Sequence, residues 1–126
     1  MSHFVTIQTQ IRDVAALEDA CAELHLRLLR DTEARGFADQ TRKAELVIRL
    51  NGPYDIAASR ESREAEAYTL TTDWWDGHVE KEVGANYGRL LQLYGVHKTM
   101  REANKKRLRV TRRQETDGSI RITLAA

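Results

Sequence analysis

"KAELVIRLNGPYDIA", Lys43 to Ala57, is the stretch on which the fold turns. Ala44, Leu46, Ile48 and Leu50 alternate with Glu45 and Arg49, the period-two pattern of a strand with one face on a core. Asn51-Gly52 suits the positive backbone angles of a tight hairpin turn. Pro53 has no amide proton to donate, and it opens the next strand at a position where none is needed. Tyr54, Ile56 and Ala58 carry that strand on. The charged "SRESREAE" (Ser59 to Glu66) then turns the chain into "AYTLTTDW" (Ala67 to Trp74). Three consecutive strands joined by short turns are expected.

Upstream, Val5, Ile7 and Ile11 (with Thr9) alternate with Thr6, Gln8 and Gln10, so His3 to Ile11 reads as a half-buried strand. Asp13 reads as an N-cap, and Val14, Leu17, Cys21, Leu24 and Leu28 recur at helical steps. This helix is expected to end near Asp31, with Thr32 to Arg42 a polar loop. Downstream of Asp76-Gly77, a long helix is expected from the stripe Val79, Val83, Tyr87, Leu90, Tyr94 and His97, with Leu91 and Met100 beside it. Gly84 and Gly88 share a face that admits another backbone, and Gly95 reads as a break. "RLRVTRR", a turn at "TDGS" and "IRITLAA" form a closing hairpin.

The predicted order is therefore β-α-β-β-β-α-β-β: a two-layer α+β domain over residues 1–126, with two helices on one face of a mainly antiparallel sheet. It resembles a ferredoxin-like split βαβ unit with an added terminal hairpin strand. Hydrophobic residues at 41% and charged residues at 31% suit one soluble domain of 126 residues. A net charge of +1 selects neither nucleic acid nor acidic substrates. The single Cys21 excludes an intrachain disulfide and a cysteine-based zinc site. No apolar run is long enough for a membrane span, and the start of the chain shows no secretory pattern, so a reduced, cytoplasmic compartment is expected.

Four segments, in order, are "MSHFVTIQTQIRD" (Met1 to Asp13), "YDIA" (Tyr54 to Ala57), "YGVHKTM" (Tyr94 to Met100) and "DGSIRITL" (Asp117 to Leu124). Together they resemble the family of the conserved hypothetical chloroplast open reading frame thirty-five, found in plastids, cyanobacteria and other bacteria. Leu29 to Arg42 matches least, and the Ser59 to Glu66 turn is more charged than the family pattern. The resemblance implies a small soluble protein with no established reaction and no catalytic residues to carry over. It also implies an accessory role beside an AAA-type ATPase.

The residues themselves offer little chemistry. His3, His25, His78 and His97 show no metal-ligand spacing, and no phosphate-binding loop is present. Cys21 lies on the core face of its helix, where burial makes a thiol inert. Ser59 and Ser62 have no histidine near them in sequence. Asp73, Asp76 and Glu80 suit the first turn of a helix, whose dipole favours acids, and with His97 they make a weaker acid–base alternative. No catalytic residue, cofactor or metal is assigned.

Two features point to a partner. In "TTDWWDGHVEKE", Trp74 continues the inward alternation of Tyr68, Leu70 and Thr72, which leaves Trp75 pointing outward, while Asp73 or Asp76 caps the following helix. An exposed tryptophan suits an interface, and a loop of the chain itself folded over Trp75 is the alternative. Residues 97–113 hold eight lysines and arginines against one acid, a net +7 that leaves −6 for the remainder. Lys98, Arg101 and Lys105 fall on one side of a helix, and Arg107, Arg109 and Arg113 on one face of a strand. The expected function is a non-enzymatic interaction or accessory protein in an assembly, by self-association or with a protein partner. Nucleic-acid binding through the basic C-terminal face is the alternative, although no aromatics interleave with the arginines.

Overall fold

In the computed structural model, which describes residues 4–36 and 41–126, β1 (Phe4–Gln8) leads to α1 (Val14–Glu23) and then to four strands. These are β2 (Arg27–Arg35), β3 (Thr41–Arg49), β4 (Ile56–Ser59) and β5 (Thr69–Asp73). A broken helical segment follows: a 3-10 turn at Trp75–Gly77, the short α2 (Glu80–Val83), a second 3-10 turn at Ala85–Tyr87 and the long α3 (Gly88–Lys105). β6 (Arg109–Gln114) and β7 (Ile120–Ala125) close the chain as a hairpin.

Among the described residues every strand pairing is antiparallel. The class is the expected α+β with two principal helices. The strand order β1-β5-β4-β3-β2 is not that of a split βαβ unit, because β1 sits at an edge beside β5. The terminal hairpin also does not extend this sheet; β6 and β7 form a sheet of their own.

The largest departure from the predicted order is β2, which occupies the expected helix tail and polar loop. Asp13 caps α1 as expected, its Oδ1 accepting from the Ala16 amide at 3.2 Å. The helix stops at Glu23 because His25 turns left-handed (φ +61°). His25 N–H then reaches the Ala22 carbonyl at 3.0 Å and Leu26 N–H the Cys21 carbonyl at 2.8 Å, the paired bonds of a Schellman cap. Glycine normally marks this stop; histidine hides it. Leu26 and Leu28 then continue at strand spacing, with Leu28 opposite Ile48. Residues 37–40, within the expected loop, and His3, at the start of the expected first strand, lie outside the described residues.

The second helix is broken, and at Gly84 rather than Gly95. Gly84 ends α2 at φ +84°, and a Cβ there would stand 2.9 Å from the Arg89 amide nitrogen, so the position admits only glycine. Asn86 and Tyr87 follow in left-handed conformations before α3 begins. Gly88 and Gly95 have nothing within 4 Å of an added Cβ, so the expected close backbone approach on a Gly84–Gly88 face is absent. Gly95 lies within continuous helix.

The core forms where helices cover one sheet face. Ala16, Leu17, Ala20 and Cys21 of α1, with Val83, Leu90, Leu93 and Tyr94 of the second helical segment, meet Leu46, Ile48, Ile56, Ala58 and Leu70. The opposite face holds a smaller cluster of Ala34, Ala44, Val47 and Ala57. Simple alternation puts Ala44 with Leu46 and Ile48, and the structure does not. Asp31 is left-handed (φ +48°), and the β2–β3 ladder skips the pair it would make with Glu45. Beyond this irregularity the far half of the hairpin curls over the back of the sheet, burying Val47 completely.

The "NGP" turn is wider than a two-residue hairpin: Leu50 to Asp55 all lie between β3 and β4. Buried Asp55 organises it. Its carboxylate accepts from the Leu50 amide (3.2 Å), the Arg35 amide (2.9 Å) and the Arg35 guanidinium (2.7 and 3.0 Å). Arg35 in turn donates to the Leu50 and Gly52 carbonyls, both at 2.9 Å. From α2, Glu82 accepts from the Asn51 and Gly52 amides at 2.7 and 3.1 Å. The turn is built by long-range partners, not by local backbone preference.

Candidate partner-binding surfaces

Much of the basic stretch 97–113 is spent on holding the molecule together. Tyr94 of α3 accepts from the Arg12 and Asp13 amides at 2.9 and 3.0 Å, which fixes the start of α1. Lys98 reaches Asp13 (3.5 Å) and Glu102 (3.0 Å), Lys105 reaches Glu102 (3.6 Å), and Arg101 grips Asp19 at 2.6 Å. Lys98, Arg101 and Lys105 are thus all placed in ion pairs, two of them with acids on or capping α1. The segments "IRD" and "YGVHK", far apart in sequence, meet here.

A second clasp joins α1, α3 and β6. Arg112 donates to both oxygens of Glu23 at 2.8 and 2.7 Å, and His97 Nε2 lies 2.8 Å from the same carboxylate. Arg112, and after it His97, holds the Glu23 carboxyl at about 2, below the ordinary 4.5, against a partial burial that pushes it up. A depressed folded-state value means that the contribution of Glu23 is complete above 4.5 and is lost as pH falls towards 2. Acidification through that window is expected to loosen the β6–β7 hairpin first. Hydrogen exchange should show its amides losing protection ahead of the main sheet, and Glu23→Gln should abolish this early step.

The hairpin register divides its residues between two faces. Val110, Arg112 and Gln114 pair with Leu124, Ile122 and Ile120 on the side towards α3, where Ile120 packs on the core. Arg109, Thr111 and Arg113 pair with Ala125, Thr123 and Arg121 on the outer side. Arg113 directly opposite Arg121 is a like-charge pair, which works against pairing; Glu115, 3.1 Å from Arg121, offsets it. Among the described residues Arg109 and Arg113 have no ion-pair partner, and both are exposed. Arg107 lies outside the strand. It takes the left-handed position (φ +56°) after α3, where Arg107 N–H meets the Asn104 carbonyl (3.1 Å) and Leu108 N–H the Ala103 carbonyl (3.0 Å). Sequence spacing missed Arg121, whose place beside Arg113 is fixed by the hairpin register.

At the strand-to-helix corner, Trp74 turns inward as expected, its ring 5.0 Å from that of Tyr87. Trp75 is 42% exposed. Neither Asp73 nor Asp76 caps a helix: Asp73 Oδ1 accepts from the Trp75 amide at 3.0 Å, and Asp76 lies 3.8 Å from His78. Because Asp73 pairs with Phe4 across the sheet, the corner adjoins β1, where Phe4 and Val5 are also exposed, at 40% and 43%. These three are most of the large exposed apolar side chains among the described residues; Leu124 is the other. A small cavity of about 80 Å³ opens between Val5, Ile7, Trp74, Asn86 and Tyr87. The exposed apolar surface of β1 was not foreseen, because alternation assigned Val5 to the core.

The acid–base alternative is not assembled by the contacts seen here. His97 is engaged by Glu23, and the 3-10 turn at Trp75–Gly77 carries Asp76 towards His78 instead. Glu80 lies in α2. Burial pushes the Cys21 thiol up to about 12, so it is not a nucleophile near neutral pH. Among the described residues no three histidine, cysteine or acidic side chains converge as a metal-binding group, and no helix is long and apolar enough to cross a membrane. A cleft of about 480 Å³ between the end of β1 and the loop before β5 is walled mainly by polar residues such as Gln8, Gln10, Glu64 and Glu66.

These features define a class: a small α+β domain whose two helices are laced together by ion pairs and whose open features are a basic hairpin face and an apolar sheet edge. The chain belongs to the family described as "Protein of unknown function (DUF1257)", which matches residues 20–123. It is 29% identical to "Uncharacterized protein ycf35" of Guillardia theta over 128 residues, covering 98% of this chain and 96% of that protein. No solved structure matches the chain.

Proposed function

We propose that the protein acts without catalysis, as an interaction or accessory subunit of a protein assembly. One observation carries this reading: at one end of the sheet Val5 and Trp75 are exposed, with Val5 lining a cavity beside Trp74 and Tyr87, and Phe4 is exposed on the opposite face of the same strand. Exposed aromatic side chains are typical anchors of protein interfaces. The internal use of Lys98, Arg101, Lys105 and Arg112 supports it further, because it removes half of the basic stretch from any role in tracking phosphates. The partner classes to test first are a second copy and an AAA-type ATPase, the latter implied by the family resemblance. The working compartment is the reduced cytoplasm, where the free buried Cys21 is at ease.

The basic outer face of the hairpin favours a second reading, nucleic-acid binding through Arg107, Arg109, Arg113 and Arg121. Retrieval of partners from the native host, with and without nuclease, separates the two. A partner that survives nuclease treatment is expected. Binding to nucleic acid is expected only at low salt, where unspecific phosphate contacts dominate, with Arg107→Glu and Arg109→Glu together abolishing it. A sub-micromolar nucleic-acid complex that persists at physiological salt would reverse the order of the two readings.

A further inference from the structure

We infer that β1 is a self-pairing edge, through which a second copy of this chain extends the sheet about a two-fold axis. The inference rests on the assembly reading above and names its partner. Among the described residues β1 has a neighbour on one side only, β5. From Phe4 to Ile11 the sequence, "FVTIQTQI", contains no charge, no proline and no glycine. Exposed edges are normally defended by such residues or by a bulge, because a bare edge is a template for another strand. The opposite edge of the sheet shows the contrast: β2, "RLLRDTEAR", carries five charged residues and the left-handed break at Asp31. β6 and β7 carry Arg109, Arg112, Arg113 and Arg121. β1 alone is bare.

The strand also complements itself. Antiparallel pairing centred on Thr6 sets Val5 against the second copy's Ile7, Phe4 against Gln8 and Thr6 against Thr6. A two-fold axis through the Thr6 pair makes each of the other two contacts twice. No like charges meet, whereas pairing with β2, β6 or β7 of another copy would strip water from arginines that gain no acid on β1. Val5 and Ile7 line the small cavity with Trp74, Asn86 and Tyr87, so branched side chains of the incoming strand arrive at its mouth. Thr6 already shares a hydrogen bond with Thr71 (2.9 Å between hydroxyls), which holds the strand in register before a partner comes. A five-residue edge with a few apolar side chains falls below the roughly 1,200 Å² of a stable interface, so a reversible dimer with Kd on the order of 10 μM is expected.

Sedimentation at concentrations bracketing that value is the first test, on the full chain and on Val5→Lys. The wild type should dimerise, and the lysine variant should dimerise at least about tenfold more weakly, with unchanged circular dichroism and thermal unfolding. The second test is a disulfide. Opposed Cβ atoms in such a pair lie about 4.5–5.5 Å apart, within reach of a bond after slight adjustment. Thr6→Cys should therefore oxidise to a covalent dimer, and Thr111→Cys on the outer hairpin face should not; Cys21 is buried and does not compete. A wild type that stays monomeric, or a dimer that is indifferent to Val5→Lys and yields no Thr6→Cys cross-link, overturns the inference. If a monomeric protein retrieves a host protein that Val5→Lys loses, self-pairing is wrong and the assembly reading stands. If it retrieves none, both are wrong.

Discussion

Ile48→Ala is expected to lower the free energy of unfolding by about 2–5 kcal/mol, and Leu17→Ala by a similar amount, because each leaves a cavity that the surroundings only partly refill. Both side chains are completely buried, Ile48 at the centre of the sheet and Leu17 on α1 above it. Ile48 is flanked by Leu28 on one side and Ile56 on the other, so three neighbouring strands lose contacts together. Domains of this kind have only about 5–15 kcal/mol in total. Either change should therefore move the denaturation midpoint far outside experimental error. Urea unfolding that shows less than about 1 kcal/mol at both positions would mean that the helices do not cover this face.

Asp55→Ala is expected to cost about 2–4 kcal/mol. Removing one member of a fully buried ion pair typically costs about 3–5 kcal/mol, and the lower range applies because Arg35 and Arg49 are 40% and 28% exposed and can turn to water. What cannot turn to water is the backbone. The Leu50 and Arg35 amides both lose their acceptor, and an orphaned buried donor carries its own penalty of about 1–3 kcal/mol. Arg49 Nε lies 3.1 Å from Asp55 Oδ2 but out of hydrogen-bonding line, so it contributes mainly charge. Asp55→Asn keeps an acceptor and loses the charge, and should fall between the wild type and the alanine variant. Denaturant titration of the three proteins gives the order directly; an alanine variant as stable as the wild type would show that the 50–55 turn holds without its acid.

Local chemistry was enough to read several elements. Val14 to Cys21 form a helix because the apolar spacing and the Asp13 cap are both local. The neighbouring strands β3, β4 and β5 were legible from their alternation, and the closing hairpin from its turn residues. Trp74 could be placed inward and Cys21 in the core for the same reason. A chain that alternates or repeats at 3.6 residues declares which face it buries.

Other features depend on groups that meet only after folding. The end of α1 was hidden because a left-handed histidine, with the His25 and Leu26 amides bonded to the Ala22 and Cys21 carbonyls, does what glycine usually announces, and the missed stop concealed β2 altogether. Val47 reads as a residue among charged neighbours, yet it is fully buried, because the β2–β3 hairpin folds back over it. The excess of positive charge in residues 97–113 was plain in the sequence. That Lys98, Arg101 and Arg112 answer Asp13, Asp19 and Glu23, while Arg109 and Arg113 face outward beside Arg121, was decided by packing. Composition and period determined which elements form and which faces are apolar. The tertiary structure alone decided which charges are satisfied and which edge is bare, since an ion pair or a strand neighbour is a relation between residues that the chain must first bring together.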